Sequence, residues 1–210
     1  MFADLALAVF ARAPVAGACK TRLIPLLGDD GAARLQASLI ARALATVSEV
    51  AAHEITLWLA GDPATVQFMI APLRARNAVP LYVAPQRGAD LGERMQYAFA
   101  TTLARHARCV LIGTDCPELT ADDVGRAAAA LNHHDVVLQP AVDGGYVLIG
   151  LRAPQPDLFA GVAWGEAAVL AQTQARIARA GLHAELLPPR SDLDTPEDYL
   201  RLLANGWIAP

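Results

Sequence analysis

The stretch from Cys109 to Pro117, CVLIGTDCP, places the strongest single constraint on how this chain can fold. Four apolar residues in a row are typical of a strand buried on both faces, as in the centre of a parallel sheet. Gly113 leaves space for a neighbouring backbone or a ligand, and Pro117 prevents the strand from continuing. Asp115 is therefore expected at the carboxyl end of a central strand, where open α/β sheets bind ligands. The alternative is a turn or N-cap aspartate before the next helix.

Similar apolar runs recur along the chain, separated by amphipathic helical patterns. The runs predict further strands at 5–11, 54–60, 81–83, 136–139, 146–151 and 184–187. The helical patterns cover about 31–51, 64–76, a stretch ending near 106, 120–131 and 166–180, and another helix begins at Thr195. This alternation predicts an α/β fold, a three-layer sandwich with a mostly parallel sheet. A turn signal at 143–145 predicts a hairpin and therefore a mixed sheet. With 210 residues and no linker, we expect one domain over residues 1–210.

Composition excludes several classes of protein. Apolar residues make up 54% and charged residues 18%, which is typical of a globular rather than a disordered chain. The formal net charge of −4, without a basic stripe, argues against nucleic acid as a partner. The cysteines Cys19, Cys109 and Cys116 lack metal-ligand spacing and cannot all pair, which favours a reducing compartment. Without a basic signal-peptide region or the ~18 apolar residues of a membrane span, we expect a cytoplasmic protein.

The loop after the first predicted strand contains three cationic side chains, Arg12, Lys20 and Arg22. Cations and free backbone N–H groups at the end of a strand and the start of a helix are suited to phosphate binding. The loop is not a Walker A motif, because Ala18 and Cys19 stand where glycine would precede the lysine. The alternative is a solvated basic loop.

Two further aspartates, Asp192 and Asp194, lie at alternating positions and would point the same way in an extended chain. If either meets Asp115 across the top of the sheet, the pair would suit Mg²⁺ or Mn²⁺ bound together with substrate phosphates. The alternative is that Asp194 is the N-cap of the last helix, with Glu197 completing a capping box.

A third candidate is the segment Asp143-Gly144-Gly145-Tyr146. Its two glycines would let a substrate lie against the backbone, and Asp143 would be available as a base or a hydroxyl acceptor. The alternative is a simple β-turn. Trp164, at a junction between loop and helix, is predicted to be an exposed aromatic suited to packing on a sugar or base, or else a hydrophobic staple.

Six segments in order along nearly the whole chain carry a resemblance to a known family: FARAPVAGACKTRL, RGADLGERM, GTDCPEL, QPAVDGGYVLIGL, AWGEAAVL and SDLDTPEDY. They resemble the small bacterial nucleotide-diphospho-sugar transferase family of the glycosyltransferase-A (GT-A) fold, some members of which are assigned to arsenosugar biosynthesis. The fold implied is the nucleotide-diphospho-sugar transferase sandwich. That fold is shared with cytidylyl- and guanylyltransferases such as the 2-phospholactate guanylyltransferases.

The resemblance implies roles for the charged residues. Lys20 and Arg22 would contact phosphates. Asp115 would occupy the place of the family's metal-binding aspartate, with Asp194 or Asp192 as a second ligand of Mg²⁺ or Mn²⁺.

The resemblance also implies pocket residues. Asp90 and Glu93 would border the nucleotide or acceptor pocket, while Asp143 and Tyr146 would face the acceptor. The chain departs from many GT-A enzymes because Gly113 stands where the first aspartate of an Asp-x-Asp motif would be.

Three functions are consistent with these residues. The first is metal-dependent glycosyl transfer from a nucleoside diphosphate sugar to a small-molecule acceptor. The second is nucleotidyl transfer to a small phosphorylated acceptor, with release of pyrophosphate. The third is a nucleotide-binding module without catalysis. Turnover of a nucleotide sugar, release of pyrophosphate, or binding without turnover would distinguish them.

Overall fold

A computed structural model of the protein describes residues 4–209. The predicted domain therefore extends beyond the described residues by Met1–Ala3 and Pro210. A seven-stranded sheet has the order β3-β2-β1-β4-β6-β5-β7. Its strands are β1 (Leu5–Arg12), β2 (Glu54–Ala60), β3 (Leu81–Pro85), β4 (Arg108–Gly113), β5 (Val136–Pro140), β6 (Tyr146–Leu151) and β7 (Ala184–Leu186). All seven agree closely with the apolar runs of the sequence.

Helices cover both faces of this sheet. They are α1 (Ile24–Ser48), α2 (Gln67–Arg76), α3 (Leu91–Leu103), α4 (Ala121–Ala130), α5 (Val169–Arg179) and α6 (Pro196–Ala204). One buried core joins the sheet to α1, α2 and α4, and a second core joins its opposite face to α3 and α5. A smaller apolar cluster packs α6 against α1. The predicted three-layer α/β sandwich is confirmed.

The sheet is parallel except for one strand. β1 pairs in parallel with β2 and with β4, and β2 pairs in parallel with β3. The hairpin predicted around residue 143 makes β6 antiparallel to both β4 and β5. Because the chain adds β2 and β3 on one side of β1 and β4 on the other, the strand order reverses between β1 and β4. Crevices at such a reversal are the usual ligand sites of open α/β sheets.

The starts of α1 and α6 differ from those predicted by the sequence patterns. α1 begins at Ile24 rather than near residue 31, with a break at Gly28, whose φ is 69°. Thr195, not Asp194, is the N-cap of α6, and its capping box is completed by Asp198 rather than Glu197. Threonine caps α6 because its hydroxyl accepts the Asp198 backbone N–H at 3.2 Å. Asp194 is therefore left free to face elsewhere.

Asp115 likewise is not a helix cap. The capping box of α4 is formed by Thr120 and Asp123, as the Thr120–Asp123 sequence pattern predicts. Within residues 4–209, none of the helices combines the length and the apolar character needed to span a bilayer.

Candidate functional site

A cleft of about 520 Å³ opens at the carboxyl ends of β1 and β4, where the strand order reverses. Several of the predicted site residues line this cleft, although they come from distant parts of the chain: Arg12, Lys20, Arg22, Asp115, Asp143, Tyr146, Asp192 and Asp194. The ends of the buried strands β1 and β4 contribute Phe10 and Gly113 to the lining of the cleft.

Lys20 is held firmly by two acceptors on different segments. Its Nζ lies 2.9 Å from Asp115 Oδ1 and donates a hydrogen bond to the Leu193 carbonyl oxygen at 2.6 Å. The Lys20 side chain is only 6% exposed, whereas that of Asp115 is 57% exposed. Lys20 has φ 47°, a left-handed conformation that is unusual for a residue other than glycine. The ammonium group therefore joins the loop after β1 to the end of β4, and Asp115 still presents a face to solvent.

The remaining cations of the cleft are arginines. Arg22 forms an ion pair with Asp194. Arg12 and Arg94 also line the cleft, and each is oriented by a backbone carbonyl: Arg12 Nη1 donates to Ala18 at 3.4 Å and Arg94 Nε to Gly88 at 3.1 Å. Guanidinium groups suit phosphate because their planar N–H donors match its oxygens.

Asp192 is the most electrostatically perturbed carboxylate of the cleft. Burial, followed by the negative charges of Asp143, Asp198 and Asp194, raises its pKa from 3.8 to about 6. The charges that act most strongly on Asp192 are therefore negative, whereas Asp194 is paired with Arg22. The two aspartates that the sequence could not tell apart thus have different environments.

A buried ion pair positions the segment that carries these aspartates. Arg190 Nη2 lies 2.8 Å from both carboxylate oxygens of Asp123, and Gln139 donates to the same carboxylate at 3.0 Å. Burial raises the Asp123 pKa, but hydrogen bonds from Arg190 and Thr120 outweigh it and leave the pKa below its ordinary value. A backbone hydrogen bond of 2.7 Å from Leu193 N to the Asp115 carbonyl then aligns the segment with the end of β4.

Two carboxylates of the cleft are candidate ligands for a hard divalent cation. Asp115 and Asp192 offer carboxylate oxygens, and the negative charges around Asp192 would be relieved by a cation. Among residues 4–209, no three His, Cys, Asp or Glu side chains stand close enough together to hold an ion by themselves. An ion here would need substrate phosphates as further ligands, which is the usual situation of Mg²⁺ with one or two protein carboxylates.

The Asp143 segment is both a turn and part of the cleft. Asp143 Oδ1 accepts the Gly145 N–H at 2.9 Å, and Gly145 lines the cleft. Gly144 does not face the cleft: its φ is 94°, and a Cβ there would lie 2.1 Å from the Ala167 carbonyl oxygen. Of the two glycines, Gly145 therefore lines the cleft, whereas Gly144 packs on the loop before α5.

Beside the cleft lies a smaller, apolar cavity of about 190 Å³, here called the side pocket. Its floor is formed by Met95 of α3, Leu111 of β4 and Ile149 of β6, and Trp164 forms one wall. Asp143 and Tyr146 line both the cleft and the side pocket, so the two cavities are contiguous.

The aromatic residues are more buried than the sequence predicted. Trp164 is half-buried rather than exposed, because its ring packs against Phe159 and Tyr146, with centroid separations of 6.5 and 6.4 Å. The Tyr146 hydroxyl is buried, and burial raises its pKa. Tyr146 therefore contributes a ring face to the site and keeps its proton.

Besides Gly144, two further predicted residues, Asp90 and Glu93, line neither cavity. Asp90 is the N-cap of α3 and accepts the Glu93 N–H at 2.8 Å, while Glu93 accepts the Ala89 N–H at 2.8 Å. Their carboxylates are thus engaged with the backbone at the start of α3, and Leu91 and Arg94 line the cleft instead.

Sequence reasoning missed two glutamines that shape the cleft. Buried Gln36 donates to the Arg12 carbonyl at 3.1 Å, and Gln86 donates to the Ala11 and Trp58 carbonyls at 3.1 and 3.0 Å. A polar residue on the apolar face of α1 was the available signal for Gln36, and the position directly after β3 was that for Gln86. Cys116 also lines the cleft, but burial raises its pKa to about 12, so it is an inert thiol.

Comparison with known proteins supports the fold and identifies relatives. The family model described as "Uncharacterized protein conserved in bacteria (DUF2064)" matches residues 43–166. No curated protein matches the chain. A crystal structure described as a "putative nucleotide-diphospho-sugar transferase" from Desulfovibrio desulfuricans G20 is 34% identical, covering 96% of this chain and 86% of that one, with a TM-score of 0.85.

Two more distant structures share the fold alone. The 4-diphosphocytidyl-2C-methyl-D-erythritol synthase of Anaerococcus prevotii DSM 20548 is 9% identical over 99% of this chain and 100% of its own, with a TM-score of 0.66. The glucosyl-3-phosphoglycerate synthase of Mycobacterium tuberculosis, solved with Mn²⁺, UDP and glucosyl-3-phosphoglycerate, is 11% identical over 97% and 76%, with a TM-score of 0.56. The expected nucleotide-diphospho-sugar transferase fold is confirmed.

Proposed function

The chain belongs to the DUF2064 family, and we propose that it is a transferase acting on a nucleotide-activated substrate in the cleft at the ends of β1 and β4. The observation that carries this proposal is the convergence of opposite charges there. Four cationic side chains, from Arg12, Lys20, Arg22 and Arg94, share the cleft with carboxylates from three separate segments. The arginines of this set can bind the oxygens of a diphosphate, and the carboxylates can bind a divalent ion that accompanies it.

Within this proposal, the arginines bind the phosphates of the substrate. Arg12 ends β1 and Arg22 lies in the turn that follows it; the Arg22 side chain is 69% exposed, so its several N–H donors can bind a phosphate while Asp194 stays its partner. Lys20 mainly holds Asp115 in place and adds positive charge to the cleft, because its ammonium already has Asp115 and the Leu193 carbonyl as partners. Fixed donors of this kind stabilise negative charge that develops on a leaving diphosphate.

The reaction we favour is glycosyl transfer from a nucleoside diphosphate sugar. An acceptor hydroxyl oxygen bonds to the anomeric carbon of the sugar while the bond from that carbon to the diphosphate oxygen breaks. Asp143 takes the hydroxyl proton, and the nucleoside diphosphate leaves with the bonding electron pair. Asp143 suits this role because it lines both the cleft and the side pocket, and because Gly145 N–H fixes its carboxylate.

A divalent ion, Mg²⁺ or Mn²⁺, would be held by Asp115 and Asp192, with substrate phosphates as its other ligands. When bound, it would offset the charge that builds up on the leaving diphosphate. We favour Asp192 over Asp194 as the second ligand, because Arg22 already neutralises Asp194. The negative surroundings of Asp192 support the same choice.

Nucleotidyl transfer is the second candidate, and one observation favours it. Gly113 stands where an Asp-x-Asp motif would have its first aspartate, which leaves Asp115 as the lone carboxylate at the end of β4. In this reaction a nucleoside triphosphate transfers its nucleoside monophosphate to a phosphorylated acceptor and releases pyrophosphate.

A thermal-shift screen with nucleoside diphosphates, triphosphates and nucleotide sugars, each with and without Mn²⁺, tests the proposal. A ligand at a hundred times its Kd stabilises the native state by about 2.7 kcal/mol, which raises the Tm of a chain this size by roughly 5–10 °C. Hits are then assayed for turnover. Release of nucleoside diphosphate supports glycosyl transfer, pyrophosphate supports nucleotidyl transfer, and binding without turnover supports the non-catalytic module. If no nucleotide shifts the Tm, the proposal is wrong.

The Asp115→Asn variant isolates the metal ligand. We expect it to abolish the Mn²⁺-dependent part of nucleotide binding in calorimetry, because the amide is a poor ligand for a hard cation. Asp30→Asn makes the same chemical change at an exposed position of α1 and serves as the control. Unchanged titration of Asp115→Asn would contradict the assignment.

We expect the protein to work in the cytoplasm. Its three cysteines are all buried and unpaired, as suits a reducing compartment.

A further inference from the structure

The side pocket differs in chemistry from the cleft that it adjoins. Its floor of Met95, Leu111 and Ile149 is buried and offers no polar side-chain atom. Among residues 4–209, the only charged side chains that line it are the carboxylates of Asp143 and Glu166, and no cation does so. Every cation of the site therefore lies on the cleft side.

We propose that the side pocket binds the apolar part of an uncharged, hydroxyl-bearing acceptor and discriminates against phosphorylated ones. This inference rests on the proposed function, and it names the substrate class for the same site. It also favours glycosyl transfer over nucleotidyl transfer to a phosphorylated acceptor, because the acceptor end of the site lacks a phosphate partner.

Size supports an acceptor with one ring or a short branched chain. The pocket measures about 190 Å³. An apolar cavity of about 150 Å³ holds benzene, so a single six-membered carbon ring fits here. The hydroxyl of such a molecule would emerge beside Asp143, the residue that the side pocket shares with the cleft.

A nucleobase is a poor occupant of this pocket. Its ring nitrogens and exocyclic groups would meet the methyl and methylene groups of Met95, Leu111 and Ile149, and each polar group left without a partner is costly. Gln36 and Gln86 line the cleft and not the side pocket, whose floor has no polar side-chain atom.

The N-terminus of α5 does not compensate for the missing cation. Val169 lines the pocket, but its N–H donates to the Glu166 carbonyl at 3.3 Å, and the Leu170 N–H donates to the Gly144 carbonyl at 2.9 Å. These two amides are already satisfied by the loop, so a phosphate in the pocket would face the Glu166 and Asp143 carboxylates and could not use either N–H group. Like charges in contact at a binding surface disfavour association.

Methionine methyl NMR offers a direct test, because the chain has three methionines and, of the two within residues 4–209, Met95 lines the pocket and Met69 does not. The protein labelled with [methyl-¹³C]methionine is titrated with benzyl alcohol and, separately, with benzyl phosphate. We expect the Met95 signal to shift with benzyl alcohol, with a Kd on the order of 1 mM for so small a ligand. Benzyl phosphate should bind roughly tenfold more weakly. Met69, on α2, is the internal control and should not move.

The variant Glu166→Lys sharpens the test. Glu166 is exposed at the rim, so the fold tolerates the change. We expect benzyl alcohol affinity to stay within about twofold, while the preference over benzyl phosphate disappears or reverses. The inference is overturned if Met95 does not respond to about 20 mM benzyl alcohol, far above the expected Kd. Equal binding of benzyl phosphate by the wild type, or displacement of benzyl alcohol by uridine, cytidine or guanosine, overturns it as well.

These outcomes are separate from those of the proposed function. Nucleotide-induced Tm shifts without benzyl alcohol binding leave the transferase proposal intact and remove the acceptor assignment. Benzyl alcohol binding without any nucleotide effect removes the transferase proposal, and the acceptor assignment falls with it.

Discussion

Replacing Asp192 by asparagine is expected to stabilise the metal-free protein while it weakens metal-dependent function. The folded environment raises the pKa of Asp192 from 3.8 to about 6, chiefly through burial and the charge of Asp143. At 1.36 kcal/mol per pKa unit, ionising this carboxyl in the folded state costs up to about 3 kcal/mol. Because the side chain is partly exposed and water screens it, we expect a gain of about 1–3 kcal/mol for Asp192→Asn at pH 8.

The sign of the pH dependence follows from the raised pKa. Below the unfolded value of 3.8, Asp192 is protonated in both states and ionisation has no effect on stability. As the pH rises toward and beyond about 6, the unfolded chain loses this proton more readily, so the wild type loses stability that Asp192→Asn keeps. The difference in stability between variant and wild type should therefore be small near pH 4 and largest above pH 7.

Urea denaturation in EDTA at several pH values measures this difference. A gain of 1–3 kcal/mol corresponds to a Tm increase of roughly 3–9 °C for a chain of this size. The exposed control Asp30→Asn should change stability by less than about 0.5 kcal/mol at every pH. If Asp192→Asn destabilises the protein at pH 8, or changes stability equally at pH 4 and pH 8, the electrostatic account of Asp192 is refuted.

Three further outcomes are expected. Asp143→Asn should keep the fold and the hydrogen bond from Gly145, but should reduce kcat by about 10²–10⁴ with little change in donor KM, because a proton acceptor is lost. Steady-state kinetics measures both constants, and an unchanged kcat would mean that Asp143 only shapes the turn. In Gly113→Ala the added Cβ would lie 4.0 Å from its nearest described neighbour, the Asp115 nitrogen, so the Tm should not change. Because this Cβ would enter the cleft, nucleotide affinity should fall about tenfold. Asp123→Asn should lower the free energy of unfolding, measured by urea denaturation, by about 2–4 kcal/mol, because Arg190 loses its buried partner. A smaller loss would show that water solvates Arg190 in place of the carboxylate.

The fold was largely predictable because its signals are local. Runs such as residues 5–11 are apolar on both faces, and the turn at Asp143 lies directly between two strands, so neighbouring residues alone indicate the parallel core and the hairpin. The same local signals do not determine the helix boundaries, because adjacent residues can both be suitable caps. Asp194 and Thr195 are both good N-cap residues, and only the observed bond between Thr195 and Asp198 decides between them.

Local patterns also could not separate capping residues from site residues. Asp90 and Glu93 have the composition of a polar pocket edge, yet their carboxylates bond to backbone N–H groups at the start of α3. Conversely, Gln36 is a polar residue on the apolar face of α1, and packing of α1 directs its amide to the Arg12 carbonyl at the end of β1.

By itself, the sequence determined the α/β alternation, the carboxyl-end position of Asp115 and the types of charge available near it. Only the tertiary structure decided which charges meet. Lys20 reaches Asp115 and Leu193 across 95 and 173 positions of the chain, and Arg22 selects Asp194, which leaves Asp192 among carboxylates. The physical reason is the range of the interactions in sequence. A strand or a cap depends on residues that are neighbours along the chain, whereas the pairing of two charges depends on spatial distances that the strand order sets.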